Sequence, residues 1–340
     1  MAIDRRRFIR LSGGVAAMSM ASIYTAGADP LCAVASEPGF AKNPAAQRLP
    51  VIDVHMHAYP AEAALPASLP NPSTGKSPGL KDGEAHLQAC LAEMKRLNVV
   101  KGVVSGGDGD RLAVAEHWHA AAPDRIIAAA GVRGSADTPL PEIGVLRKAF
   151  EEGRLRVLGE VTAQYAGLTL SDPKYEPYLA LAEELNIPVA LHTGMGPPGG
   201  SYDPCCRGFR ASLGNPALIE DALNRHPKLR VNVMHGGWPY LEETIAVLFM
   251  YPQVYTDLGA IDWAVPRPEF HSYLGALVRA GFTKRVMFGS DQMYWPEAIG
   301  MAIEAIESAN FLSPSDKRDI FYNNAARFLQ LEQTKTGISA

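Results

Sequence analysis

The chain has 340 residues, 47% hydrophobic and 20% charged, with 32 Lys+Arg against 36 Asp+Glu, nine His, 31 Gly and 26 Pro. The apolar fraction excludes a mainly disordered chain, and the net charge of −4 argues against a nucleic-acid binder held by phosphate attraction. No stretch has the length and purity of a membrane span, so no membrane anchor is expected.

The chain opens with a twin-arginine pattern, Asp4-Arg5-Arg6-Arg7-Phe8-Ile9-Arg10. A weakly apolar run follows from Leu11 to Thr25, and Ala26-Gly27-Ala28 offers small residues for cleavage. Residues 1–28 therefore read as a twin-arginine signal peptide, and a periplasmic or otherwise extracytoplasmic location is expected. A disordered basic arm is the alternative. Leu31 and Pro30 before Cys32 make a poor lipid-attachment site. Cleavage after Ala28 removes four Arg and one Asp and leaves a mature charge of −7, which suits a soluble exported protein. Twin-arginine export carries folded proteins, so a metal can be loaded before export.

Residues 29–50 read as an extended lead-in, rich in Ala, Pro and small polar residues. Eight short runs rich in β-branched residues follow at 51–55, 99–104, 126–132, 157–161, 189–192, 231–235, 254–258 and 286–290. Such runs read as buried parallel strands. Amphipathic stretches lie between them. Tyr178, Leu181, Ala182 and Leu185 form one helical stripe, Leu241, Ile245, Leu248 and Phe249 a second, and Ile299, Ile303 and Ile306 a third. Pro188 and Pro227 stop helices just before strands.

Eight strand-helix repeats over about 250 residues predict an α/β fold, a single-domain (β/α)₈ TIM barrel over 51–331. A last helix with Phe321, Ala325, Phe328 and Leu329 is expected against the barrel wall, and 332–340 form a tail. Two long loops, 61–83 after the first strand and 193–214 after the fifth, belong on the face where barrel chemistry occurs.

Ligand-type side chains end five of the strands. His55 and His57 close the first, and residues two apart on a strand point the same way. Glu160 ends the fourth, His192 the fifth, His235 the sixth and Asp291 the eighth. One such residue is readily a satisfied core group. Six at one mouth, buried without a metal, leave costly unpaired groups. Imidazoles with a carboxylate are natural donors for a divalent ion such as Zn²⁺.

This ordered set resembles the amidohydrolase superfamily, and its context resembles the amidohydrolase-related (amidohydrolase 2) branch. The likeness is carried by "LHTG", "GNPALIEDALNRHPKLRVNVMHGGWP", "GSD" and "YNNAARFLQL", and covers Val51 to Leu331. It implies that His55, His57, His192 and Asp291 bind a catalytic Zn²⁺ or similar ion. It implies that His235 stands beside that ion and polarises a substrate carbonyl. Glu160 stands where some relatives carry a metal-bridging carboxylate. One tightly held metal is the favoured reading, with a Glu160-bridged pair as its competitor.

The chemistry of the residues agrees. A bound divalent ion lowers the pKa of water to about 7. Asp291 then takes the water proton and returns it to the leaving group. The expected enzyme is a metal-dependent hydrolase of a small organic ester, lactone, amide or related bond. A metal-dependent decarboxylase or C–C bond-cleaving enzyme on the same site is the alternative. A non-catalytic exported metal- or ligand-binding protein is the alternative of another class.

Candidate substrate contacts are Arg207 and Arg210 in the fifth-strand loop, which could clamp a carboxylate, with Tyr59, Trp238, Tyr294 and Trp295 as pocket walls. A surface role for either Arg, and simple packing for the aromatics, are the competing readings. His86, His117, His119, His226 and His271 read as structural. Cys205 and Cys206 read as two ordinary loop thiols, with a vicinal disulfide or a reactive pair as the other readings. The expected partner is a small-molecule substrate. Nothing points to nucleic acid, and assembly of identical subunits stays open.

Overall fold

The computed structural model describes residues 48–331 apart from 67, 107–110 and 136–137. The signal-peptide reading, most of the lead-in and the 332–340 tail lie outside the described residues.

Eight parallel strands follow in chain order around one sheet: β1 Val51–Ala58, β2 Val99–Gly106, β3 Ile126–Val132, β4 Val157–Val161, β5 Val189–Leu191, β6 Val231–Val233, β7 Val254–Asp257 and β8 Val286–Met287. The ring closes where Val54 N donates to Phe288 O at 3.0 Å and Asp291 N donates to His55 O at 2.8 Å. This is the TIM barrel that the strand-helix repetition predicts. Among the described residues no helix is long and apolar enough to cross a membrane.

The strands bury both faces, as parallel strands must. Met56, Val104, Leu158 and Val189 face outward into the layer shared with the helices. Ile52, Val54, Val103, Ala129, Val157, Ala190, Met234 and Met287 fill the lower interior. Ala325 and Phe328 of the last helix, Asn324–Phe328, join that inner cluster. The last helix therefore seals the barrel floor, rather than lying on the wall as expected. Its two apolar side chains match the open end of an apolar interior.

A β-bulge aims the first pair of candidate ligands. Asp53 pairs with Gly102 and Met56 with Val104, so three steps on β1 oppose two on β2. The extra residue reverses the alternation. Ile52 and Val54 point into the lower interior, and above the bulge His55 and His57 point into the upper interior while Met56 packs outward.

The helical stripes hold with one difference. Helix Leu241–Met250 buries Thr244, Val247 and Leu248, while Phe249 is 77% exposed. Thr244 takes the inward position because its hydroxyl donates to Tyr240 O and Gly236 O, at 2.7 and 3.1 Å.

Candidate active site

The upper end of the barrel gathers His55, His57, Glu160, His192, His235 and Asp291. Strands β5, β6 and β8 stop short of His192, His235 and Asp291, so these residues stand at the rim. His235 and Asp291 take left-handed backbone, with φ of 59° and 46°. Non-glycine residues there cost about 1 kcal/mol or more. Glycines make room for the imidazole: a Cβ on Gly259 would stand 2.6 Å from His55 Nδ1, and one on Gly289 would stand 2.7 Å from His55 Cβ.

His57 Nε2 lies 2.9 Å from Asp291 Oδ1 and 3.5 Å from Glu160 Oε2. His55 Nε2 lies 3.7 Å from Asp291 Oδ1. His235 Nε2 lies 4.0 Å from Glu160 Oε1. Among the described residues two trios bring one donor atom each within 4.8 Å of one another: His55, His57 and Asp291, and His55, Glu160 and His235. His192 belongs to neither trio. Its ring stands 4.7 Å from that of His235.

Three of the imidazoles are oriented by acceptors behind them. His55 Nδ1 faces Asp257 Oδ1 at 3.3 Å, His192 Nδ1 faces Gln164 Oε1 at 2.9 Å, and His235 Nδ1 faces Gly259 O at 2.9 Å. A carbonyl or carboxylate accepts only, so each Nδ1 carries a proton, and each Nε2 is the nitrogen that can ligate once it is unprotonated. The Nε2 atoms of His55 and His235 are buried with no hydrogen-bond partner. Buried lone pairs facing two carboxylates are what a divalent cation satisfies. The donor set therefore fits such an ion.

Gln292 holds His57 from the backbone. Its side chain accepts from His57 N at 3.0 Å and donates to His57 O at 2.8 Å.

Charge is shared tightly here. Burial works against the charge on His55, but Asp291 and Asp257 outweigh it and hold the imidazolium up to about 10. His57 is raised too: burial opposes its charge and Asp291 overcomes it. His192 goes the other way, to about 3, through burial and then the neighbouring His235. Burial also opposes ionisation of Glu160 and Asp291. Nearby imidazoles, led by His57 for Glu160 and by His55 for Asp291, keep both below the usual carboxylate range. In the absence of a cation, protons on His55 and His57 balance these acids.

The expected substrate residues separate into groups. Arg207 and Arg210 are exposed, and Arg210 Nη1 donates to the carbonyls of Arg207 and Phe209. They line a hollow with Tyr202 and Phe209, not the histidine–carboxylate cluster. Trp295 is 1% exposed, packs on Trp263 and donates to Leu69 O at 3.1 Å, so it belongs to the core. Tyr59 is buried and stacks on Tyr294 at 4.8 Å. Trp238 is half-buried beside the core. The other histidines bind locally: His117 to Glu84, His119 to Ile126 O, His226 to Glu176 and Glu183, His271 to Ala305 O, and His86 against Cys90.

Arg133 was not singled out from the sequence. It directly follows β3, as His192 directly follows β5. Its half-buried guanidinium donates to Thr162 Oγ1 at 3.4 Å and to Cys206 Sγ at 3.9 Å, and lies 5.3 Å from the Tyr165 ring centroid. Tyr165 in turn packs edge-on against His192 at 4.9 Å. No carboxylate among the described residues pairs with Arg133. Cys205 and Cys206 correct the thiol reading: they form a disulfide with each other. Adjacent sulfurs meet because the loop turns sharply at 204–206.

The chain matches the model of the family described as amidohydrolase over residues 52–331. Protein fluG of Emericella nidulans is 22% identical over 163 residues, 44% of this chain and 18% of that protein, so the chain spans under a fifth of this relative's length. An uncharacterised TIM-barrel protein from Bordetella bronchiseptica shares the fold with a TM-score of 0.61 and 19% identity, over 83% of this chain and 99% of that one. A probable 2-pyrone-4,6-dicarboxylic acid hydrolase from Acinetobacter baumannii, solved with citric acid, has a TM-score of 0.58 and 18% identity, over 82% and 99%. A 2,6-dihydroxybenzoate decarboxylase from Rhizobium has a TM-score of 0.53 and 15% identity, over 83% and 99%. At these identities the structural likeness bears on the fold alone.

Proposed function

The chain belongs to the amidohydrolase family, whose members are metal-dependent hydrolases, decarboxylases or hydratases, and from that premise we propose that it hydrolyses an ester, lactone, amide or related bond in a small organic substrate carrying a carboxylate. The observation that carries the reading is the set of three imidazoles locked by acceptors at Nδ1, two of which turn Nε2 toward a carboxylate, His55 toward Asp291 and His235 toward Glu160.

His55, His57 and Asp291 would hold a divalent ion, with zinc the best match to these nitrogen and oxygen donors. When bound, such an ion lowers the pKa of water to about 7 and polarises a carbonyl. One ion suits the geometry better than two. Both candidate trios use His55, whose Nδ1 is engaged by Asp257, so a single Nε2 is left to serve one ion. Glu160 and His235 then complete the cavity around that centre.

Asp291 would take a proton from the attacking water and return it to the leaving group. His235 keeps its Nδ1 proton on Gly259 O and turns Nε2 toward the reacting carbonyl. With a second proton there it donates to the oxyanion. Arg133 supplies a half-buried guanidinium with no carboxylate of its own, and a carboxylate on the substrate would complete it.

Decarboxylation is the second reading, because the same donor set and the same Arg133 corner suit an aromatic or unsaturated acid. The test is a screen of lactones, esters, amides and aromatic acids with metal counted per chain. Turnover in oxygen-18 water labels the product of a hydrolase. Release of CO₂ without label uptake replaces hydrolysis by decarboxylation. No turnover of any class in metal-replete protein removes the enzymatic reading. We also place the mature protein outside the cytoplasm, on the twin-arginine pattern of residues 4–10. Cell fractionation with Arg5 and Arg6 changed to Lys tests it, and unchanged distribution counts against it.

A further inference from the structure

We infer that the Cys205–Cys206 disulfide is a redox switch on substrate binding, in which reduction lets the Cys206 sulfur occupy Arg133 in place of the substrate carboxylate. The inference rests on the reading of Arg133 given above.

The two sulfurs differ in access. Cys205 is exposed, whereas Cys206 is 5% exposed. The buried sulfur is the one beside the guanidinium, 3.9 Å from Arg133 Nη1. As half of a disulfide it is a neutral, weak acceptor. It therefore leaves the cation free for an anionic ligand. As a thiolate it is a full negative charge beside an arginine, an environment that favours the thiolate.

The same loop touches the site at a second point. Phe209, three residues on, packs on Tyr165 at 4.9 Å and on His192 at 6.5 Å. Tyr165 is also the ring beneath Arg133. The guanidinium, the phenol ring and the buried sulfur thus form one corner at the rim.

The chemistry balances with a dithiol as reductant. One reductant thiolate attacks the exposed Cys205 Sγ, the S–S bond breaks, and Cys206 leaves with the electron pair as a thiolate. The second reductant thiol attacks the mixed disulfide, releases Cys205 and leaves as a cyclic disulfide. Two electrons pass to the protein and two protons leave the reductant. One proton goes to Cys205 and the other to solvent, while Cys206 stays anionic against Arg133. An oxidising compartment keeps the pair closed and Arg133 open. A reducing one closes Arg133.

The test uses the full metal-loaded chain, with isophthalate as a rigid dicarboxylate probe and calorimetry as the binding readout. Oxidised protein should bind the probe. Protein reduced with dithiothreitol and then freed of it should bind about tenfold more weakly, and Cys205→Ser should do the same without reductant. Cys206→Ser loses the disulfide but has no sulfur anion, and should bind like the oxidised protein. Thiolate ultraviolet absorbance at neutral pH should appear in Cys205→Ser and fall when Arg133→Gln is added. Equal binding by Cys205→Ser and Cys206→Ser, whether both weak or both strong, overturns the switch, and so does absence of the thiolate signal. Arg133→Gln in the oxidised protein separates the two ideas. If it weakens binding while Cys205→Ser does not, only the switch falls. If it leaves binding unchanged, the carboxylate reading of Arg133 falls and the switch with it.

Discussion

His55 Nδ1 lies 3.3 Å from Asp257 Oδ1, so a carboxylate at the end of β7 sets the proton of an imidazole on β1. Asp257 also accepts from Asn232 Nδ2 at 2.7 Å, His235 N at 3.2 Å and Gly259 N at 2.9 Å. An amide there turns one acceptor into a donor and removes the charge. We expect Asp257→Asn to keep the barrel but weaken metal binding by roughly 10–100-fold. Metal titration of the chelated variant measures this, and wild-type affinity would deny Asp257 its orienting role.

Asp291 is both a proposed ligand and the proposed base. Asp291→Asn should lower kcat by about 10²–10⁴-fold with the circular-dichroism spectrum unchanged. Metal content measured on the same sample separates loss of the base from loss of the ion. Unchanged turnover removes Asp291 from the mechanism.

Exhaustive chelation should abolish turnover, and Zn²⁺ or Mn²⁺ should restore it. The ion binds only the folded site, so free metal at about 100 times its Kd adds roughly 2.7 kcal/mol of stability. The thermal midpoint should therefore rise with added metal. Full activity in demonstrably metal-free protein contradicts the scheme.

The metal-free site has its own pH dependence. The folded value for His55, about 10, lies above its ordinary 6.5. Its stabilising contribution is thus complete below about 6.5 and is lost as pH rises through about 10. Chelated protein should lose thermal stability over that window. A divalent ion needs the unprotonated nitrogen, so metal uptake near neutral pH should release protons. Calorimetry in buffers of different ionisation enthalpy counts them, and a count of zero refutes the proton-for-metal exchange.

Phe328 is 2% exposed and seals the floor of the barrel. Phe328→Ala should cost about 3–5 kcal/mol in denaturant unfolding while leaving kcat unchanged at low temperature. A loss under 1 kcal/mol, far short of that range, would show that the floor does not depend on this ring.

Much of the site was legible because a barrel brings strand ends together whatever their separation along the chain. Short apolar runs and period-two alternation were enough to put His55, His57, Glu160, His192, His235 and Asp291 at one mouth. Arg207 and Arg210 stand outside that cluster because loop position does not give side-chain direction: both are exposed and line a separate hollow. Trp295 misled because nearness in sequence to Asp291 is not nearness to the cavity. Arg133 and Asp257 escaped notice although each stands at a strand end, the same signal that marked the others.

The sequence by itself determined the barrel, its order and the residue types at its rim, since burial periodicity and ligand chemistry are properties of short segments. The tertiary structure decided which nitrogen of His55, His192 and His235 faces an acceptor, that Arg133 at the rim has no carboxylate partner among the described residues, where the last helix packs and that Cys205 pairs with Cys206. All but the last are contacts between residues far apart in the chain, set by packing. The last turns on a backbone bend that adjacent cysteines alone do not announce.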